Sequence, residues 1–225
     1  MVAEMFNDIS GQYDFLNHFL SFGVDYSWRR KFVRQLGEAR PSVILDVATG
    51  TGDLAFAIAA LKPDRIEGID IAVQMLDIAR KKAERQPAGL KVNFSTGDAE
   101  SIPFPDNTFD AVTVAFGVRN YEHLEKGLAD MRRVLKPGGI MMILEFSHPG
   151  KAPFKQFYHF YSRYCIPMIG KLFSGNNQAY RYLPESVAAF PSGSDFTAIL
   201  EKTGMTGIRQ RPLTFGIATI YSGKK

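Results

Sequence analysis

Residues 42–54, SVILDVATGTGDL, decide how the chain is read. The apolar run Val43-Ile44-Leu45 has the character of a buried strand. Asp46 stands at its expected end. A tight turn, Thr49-Gly50-Thr51-Gly52, follows, and then an alanine-rich helical run over 55–61. Strand, glycine turn and helix form the geometry that brings backbone N–H groups close to a ligand, because a Cβ would block the approach. Gly50-x-Gly52-x-x-Ala55 fits the dinucleotide fingerprint, and Asp70 falls where a ribose-binding acid is expected. The turn therefore points to a nucleotide-like ligand without saying which.

Charge is the discriminator. A pyrophosphate seeks N–H donors and cations. Asp46 and Asp53 bracket this turn, and no Lys or Arg lies between Arg40 and Lys62. Acids there suit a ligand with a sulfonium or ammonium group and no phosphate, of which S-adenosylmethionine is one. The competing classes are a dinucleotide-dependent oxidoreductase, which fits the glycines but not the acids, and a non-enzymatic nucleoside-binding module.

From residue 42 onward strands and helices alternate, which predicts a mainly parallel α/β sheet. Strands are expected over 42–47, 65–70, 91–96, 110–116 and 140–146, and helices over 72–86 and 122–135. Lys136-Pro137-Gly138-Gly139 reads as a stop after the second helix. Near the end, Ser194 reads as the N-cap of a helix over 194–202, with Gly204 as its stop. Strands over 207–213 and 216–223, joined by Thr214-Phe215, form an antiparallel pair. Asp46, Asp70 and Asp98 thus fall at the carboxyl ends of the first three strands, the edge where open α/β sheets bind ligands. Three carboxylates on one edge repel one another unless a polyhydroxyl or cationic partner relieves them. A nucleoside with an amino-acid tail does so: Asp70 accepts from the ribose hydroxyls, Asp98 from the adenine amino group, and the Ala99 N–H meets a ring nitrogen.

Two flanking segments differ from this core. In residues 1–34, Phe6, Ile9, Tyr13, Leu16 and Leu20 share a helical face. This segment is read as a helix packed on the sheet and as a lid supplying Tyr13, Asn17 or Asp25 to a substrate cavity. Residues 151–190 form an aromatic, basic insertion, with Phe154, Phe157, Tyr158 and Tyr161 on one face and no acid between Glu145 and Glu185. Such a helix serves as a membrane-surface element, a cavity cap or a core-packing insertion.

The 225 residues suit one α/β unit, with 1–34 as lid, 35–150 as cofactor core, 151–190 as insertion and 191–225 as terminal helix and hairpin. Charged residues make up 22% and the net charge is +4, without the dense Lys/Arg run that would suggest nucleic acid. The single cysteine, Cys165, excludes an internal disulfide framework. The four histidines lack metal-binding spacing, so no metal is expected. The N-terminus carries acids and no apolar signal region, and no apolar run approaches the ~18 residues of a membrane span. A cytoplasmic location is expected.

Several stretches together resemble the ubiquinone/menaquinone biosynthesis C-methyltransferases. They are DVATGTGDLA (46–55), GIDIAVQML (68–76), GDAESIPFPDNTFDAVTVAFGVRN (97–120), RVLKPGG (133–139) and LEFSHP (144–149), with YDFLNHFLSFGVDYSWRR (13–30) and AYRYLPESVAAFP (179–191). The cofactor motifs mark the wider class I methyltransferases; PFPDNTFD, FGVRN and YRYLPES are narrower. The resemblance implies a class I S-adenosylmethionine-dependent methyltransferase fold, a Rossmann-like seven-stranded, mainly parallel sheet with an antiparallel last strand. It implies methyl transfer to a ring carbon of a polyprenyl quinol: demethylmenaquinol, the equivalent ubiquinone-pathway benzoquinol, or another small phenolic or lipid acceptor. Cofactor roles pass to Thr51, Asp70, Asp98 and Ala99, and substrate-side roles to Arg119 and Asn120. Proton removal is assigned to water, Tyr13, His123 or Asp25. An apolar-tailed substrate also implies weak peripheral contact with the membrane; self-association is left open.

Overall fold

Two clusters of apolar side chains, one on each face of a single sheet, organise the molecule. The computed structural model describes residues 4, 5, 7, 18, 21, 23–86, 90–149, 156 and 177–225. Its strands are β1 (Val43–Val47), β2 (Arg65–Asp70), β3 (Val92–Thr96), β4 (Phe109–Ala115), β5 (Leu135–Phe146), β6 (Thr206–Leu213) and β7 (Ala218–Lys224). They are ordered β3-β2-β1-β4-β5-β7-β6. The first five are mutually parallel, and β7 runs antiparallel to both β5 and β6.

Alternation along each strand feeds both faces. On one, Leu45, Val47, Val112, Val114 and Ile143 meet Leu128, Met131 and Val134 of α4 (Leu124–Val134) and Phe196 and Leu200 of α6 (Ser194–Lys202). On the other, Ile44, Ile66, Ala111, Met142 and Leu144 meet α1 (Val24–Glu38) and α2 (Asp53–Ala59). Helix α1 presents Trp28, Phe32 and Leu36 as a buried stripe, the spacing that keeps one helical face inward. The Trp28 indole N–H donates to Thr214 Oγ1 at 2.7 Å, which fastens α1 to the β6–β7 turn. Helix α3 (Val73–Glu84) packs against β2 and β3, and α5 (Asn177–Ala189) lies beside the turn after β4.

The chain order reverses beside β1, where Ile44 pairs with Ile66 on one side and Ala111 on the other. Loops leaving β1 and β4 diverge there and open a crevice at the carboxyl edge.

The sequence reading is corrected at three places. Residues 136–139 do not separate helix from strand. β5 begins at Leu135, which pairs with Phe109, and Ile140 pairs with Ala111, so these residues bulge opposite Asp110. Gly138 takes φ 76°, and a Cβ on Gly139 would lie 2.8 Å from the Lys136 carbonyl, so a local stop signal here serves a bulge. Ser194 is the first helical residue of α6 and Gly193, at φ 68°, is its N-cap. Residues 214–216 form a short 3-10 turn, with Phe215 at φ 58°. The apolar face carrying Phe6, Ile9, Tyr13, Leu16 and Leu20 lies outside the described residues, as does most of the insertion. Among the described residues no helix is long and apolar enough to cross a membrane.

Candidate active site

The turn after β1 is stitched to the strand ends beside it. The Thr49 N–H donates to the Ile69 carbonyl at 2.9 Å, and the Gly50 N–H to Asp70 Oδ2 at 2.8 Å. Its glycines do different work. Gly52, at φ 85°, has no room for a Cβ, which would lie 2.8 Å from both Phe56 and Phe94. Gly50, at φ 57°, faces open space: a Cβ there would meet nothing within 4 Å. That space is a cavity of about 610 Å³ at the carboxyl edge of the sheet.

One wall of the cavity includes Gly50, Asp70, Asp98 and Ala99. Asp70 ends β2 and also accepts the Ala72 N–H at 2.8 Å through Oδ1; burial raises its pKa against these backbone donors. Asp98 follows β3 and accepts the Glu100 N–H at 2.8 Å. The opposite wall includes Phe116, Gly117, Arg119, Asn120, Tyr121 and Tyr182. A Cβ on Gly117 would lie 2.7 Å from that of Ala48, so glycine lets the FGVRN turn close on the β1 turn. The Arg119 side chain is 5% exposed. Its Nη1 donates to Glu145 Oε1 at 2.8 Å and to the Phe116 carbonyl. Tyr182 of α5 donates its hydroxyl to Asn120 Oδ1 at 2.9 Å.

The remaining candidates lie elsewhere. Asp46 is 1% exposed, beneath the turn rather than on this wall, and accepts the hydroxyls of Thr49 at 2.7 Å and Thr113 at 2.8 Å. Thr51 and Gly52 are buried and also off the wall; Lys82 Nζ donates to the Thr51 hydroxyl at 3.1 Å. Two base candidates are poorly placed for proton removal here. His123 has a side chain 65% exposed, is tied to Glu100 at 2.9 Å, and does not line the cavity. Asp25 is enclosed by Ser21 Oγ at 2.6 Å, His18 Nδ1 at 2.6 Å and Arg29 Nη1 at 2.7 Å. Burial pushes its carboxyl up, but these partners together hold it below the usual carboxylate value, so it is a weak base away from this wall. Tyr13 and Asn17 lie outside the described residues.

The turn looks free of cations along the chain, yet the fold brings Lys82 Nζ to 2.8 Å, Arg29 Nη2 to 3.2 Å and His18 Nε2 to 3.5 Å of Asp53. Asp53 is therefore a tether and not an acid offered to a ligand. Discrimination passes to the cavity wall, where Asp70, Asp98, Glu100 and Glu122 stand with one cation among the described lining residues, Arg119, itself paired to Glu145. Such a wall disfavours pyrophosphate and fits a sulfonium-bearing nucleoside. Glu145 and Tyr182 were missed as site residues, although an acid ending the apolar run IMMIL was a visible signal.

Burial, with a smaller push from Asp70, raises the Asp46 pKa to about 7 despite its two hydroxyl donors. Between its ordinary value of 3.8 and about 7 the folded protein holds a proton that the unfolded chain has released. Stability should therefore fall as pH rises through that window, by up to about 1.4 kcal/mol per unit. Asp46→Asn cannot titrate and should lose this component in urea unfolding compared near pH 5 and pH 7 without cofactor. An equal change in both proteins would show that Asp46 does not titrate there.

A seven-stranded sheet with its last strand reversed, and an acid-walled cavity at its carboxyl edge, define an S-adenosylmethionine-dependent methyltransferase of class I. A SAM-dependent methyltransferase of Thermotoga maritima shares the fold, with a TM-score of 0.67, 18% identity and 100% of both chains covered. The chain belongs to the ubiE/COQ5 methyltransferase family, whose model matches residues 1–225. It is 48% identical over 222 residues to the demethylmenaquinone methyltransferase of Thermus thermophilus, covering 98% of this chain and 100% of the relative. It is 46% identical over 226 residues to the ubiquinone/menaquinone biosynthesis C-methyltransferase UbiE of Geobacter sulfurreducens, covering 100% of this chain and 88% of the relative.

Proposed function

We propose that this protein methylates a ring carbon of demethylmenaquinol to give menaquinol. The observation that carries the reading is the two-sided cavity, with Asp70, Asp98 and Ala99 on one wall and Arg119, Asn120 and Tyr182 on the other. S-adenosylmethionine, when bound, supplies an electrophilic methyl on a sulfonium centre. Asp70 would take the ribose hydroxyls on lone pairs left beside its backbone donors Gly50, Ile71 and Ala72. Asp98 would take the adenine amino group and the Ala99 N–H a ring nitrogen, and Gly50 would give the tail close approach. Asp46, Thr51 and Gly52 hold the turn in shape from below.

A ring carbon is a weak nucleophile. Loss of a phenolic proton moves electron density onto the adjacent carbon, and the site must favour that phenolate. A guanidinium is a cation with N–H donors in a fixed fork and a poor base, so Arg119 is suited to this and not to taking the proton. Tyr182 occupies the Asn120 carbonyl and so leaves the amide N–H groups for the ring oxygens. Two protons leave, one from the phenol before attack and one from the ring carbon after it has gained the methyl, which restores the aromatic ring; both fall to water or Tyr13. Holding two reactants in line is worth at most ~7–11 kcal/mol of the barrier. The aromatic and basic composition of residues 151–183 supports weak contact with an anionic membrane surface, where a polyprenyl tail would be held.

Incubation with labelled S-adenosylmethionine and reduced demethylmenaquinone should yield a C-methylated product by mass analysis, faster than with the corresponding benzoquinol. Calorimetry should detect S-adenosylhomocysteine and not NAD. NAD binding without an S-adenosylhomocysteine signal, or methylation at oxygen, would sink the reading.

A further inference from the structure

We propose that Glu145 is a positioning residue for methyl transfer, holding the Arg119 guanidinium so that its unpaired Nε/Nη2 edge faces a ring oxygen of the acceptor, with Nη2 as the donor. The inference rests on the acceptor-side role given to Arg119 above.

Glu145 sits in β5, opposite Thr219 of β7, with its side chain wholly buried. The preceding residues Met141, Met142, Ile143 and Leu144 are core. An apolar residue of similar volume in place of a buried ion-pair member, with its partner also replaced, commonly leaves a fold as stable or more so. Stability therefore gives no reason for an acid here. Its contacts do. Oε1 accepts the Phe146 N–H at 2.8 Å and Arg119 Nη1 at 2.8 Å, while Oε2 accepts the Arg119 backbone N–H at 3.4 Å. The carboxylate is thus fixed by backbone and fixes the guanidinium in turn. The Phe116 carbonyl takes a second bond from Nη1, and the Phe146 ring lies 5.3 Å from Cζ.

After these contacts Arg119 Nε is buried with no hydrogen-bond partner among the described residues. A buried donor left unpaired is destabilising, and such groups in native proteins need a reason. Nη2, on the same edge, makes no hydrogen bond among the described residues and is not enclosed; Arg119 lines the cavity beside Asn120 and Tyr182, so this is the edge an acceptor oxygen would meet.

The test is a double-mutant cycle read beside cofactor affinity. Glu145→Gln should lower kcat about 10–100-fold, the loss seen when a partner orienting a ligating group is removed. Arg119→Gln should lower it about 10²-fold or more. The double variant should be no slower than Arg119→Gln, because Glu145 acts only through Arg119. S-adenosylhomocysteine affinity should hold throughout. Multiplying losses, or Glu145→Gln turning over at the parent rate, would overturn the proposal. Should Glu145→Gln fold poorly, Glu145→Asp keeps the charge on a shorter arm and should also lose turnover with cofactor affinity retained; parent-like turnover would overturn the proposal.

A second arm needs no methyl transfer. In the nitrogen-15 spectrum the Arg119 Nε–H resonance, identified by its loss in Arg119→Gln, should shift when 1-naphthol is added. In the Glu145 variant that shift should vanish. A resonance that ignores naphthol in the parent protein would overturn the proposal. If the parent fails to methylate demethylmenaquinol while its Nε–H still responds to naphthol, the quinol reading falls and the role of Glu145 stands.

Discussion

Asp70→Ala lowers affinity for S-adenosylhomocysteine by ~10²-fold, the expected consequence of removing hydrogen bonds to a charged group worth roughly 1.5–3 kcal/mol each. Two losses act together. The ribose hydroxyls lose their acceptor, and the N–H groups of Gly50 and Ala72 lose theirs, so the turn that approaches the cofactor is released at the same time. Asp70→Asn separates the two. Its single carbonyl oxygen still accepts one backbone N–H while the paired ribose contact goes, so its affinity should lie between parent and Asp70→Ala. Calorimetry reads all three. A dissociation constant unchanged in Asp70→Ala would remove Asp70 from the cofactor site.

Arg119→Ala produces the opposite pattern, with kcat reduced about 10²–10³-fold, the range for losing one donor aimed at developing negative charge. Cofactor affinity should stay near the parent value, because the nucleoside side of the cavity is built from Gly50, Asp70, Asp98 and Ala99. The substitution also strands the buried Glu145 carboxylate, and breaking a buried pair costs about 3–5 kcal/mol of stability. The variant should therefore unfold earlier in urea and must be assayed well below its transition. Equal loss of turnover and cofactor affinity would place Arg119 against the wrong ligand.

The frame of the site was legible in the sequence because it depends on neighbours along the chain. Val43-Ile44-Leu45 reads as buried strand, Gly50 and Gly52 as a turn needing positive φ, and Asp70 and Asp98 as strand-end acids. The structure places all of these as read. The FGVRN segment was visible as a motif, but Gly117's close approach to Ala48 was not, since the two come from strands far apart in sequence. Residues 136–139 show the limit from the other side. Their local chemistry is that of a stop, but the pairing of Leu135 with Phe109 makes them a bulge within β5.

By itself the sequence determined the order of strands and helices, the glycine turn and which acids end the strands. Periodicity and backbone sterics act within a few residues. Only the tertiary structure decided what each charge does. It gave Asp53 to Lys82 and Arg29, and closed Asp25 among Ser21, His18 and Arg29. It sank Asp46 beneath the turn and paired Arg119 with Glu145 through Nη1, leaving the Nε/Nη2 edge unused. Coulomb energy and desolvation depend on distance through space and on burial, which the order of residues along a chain does not contain.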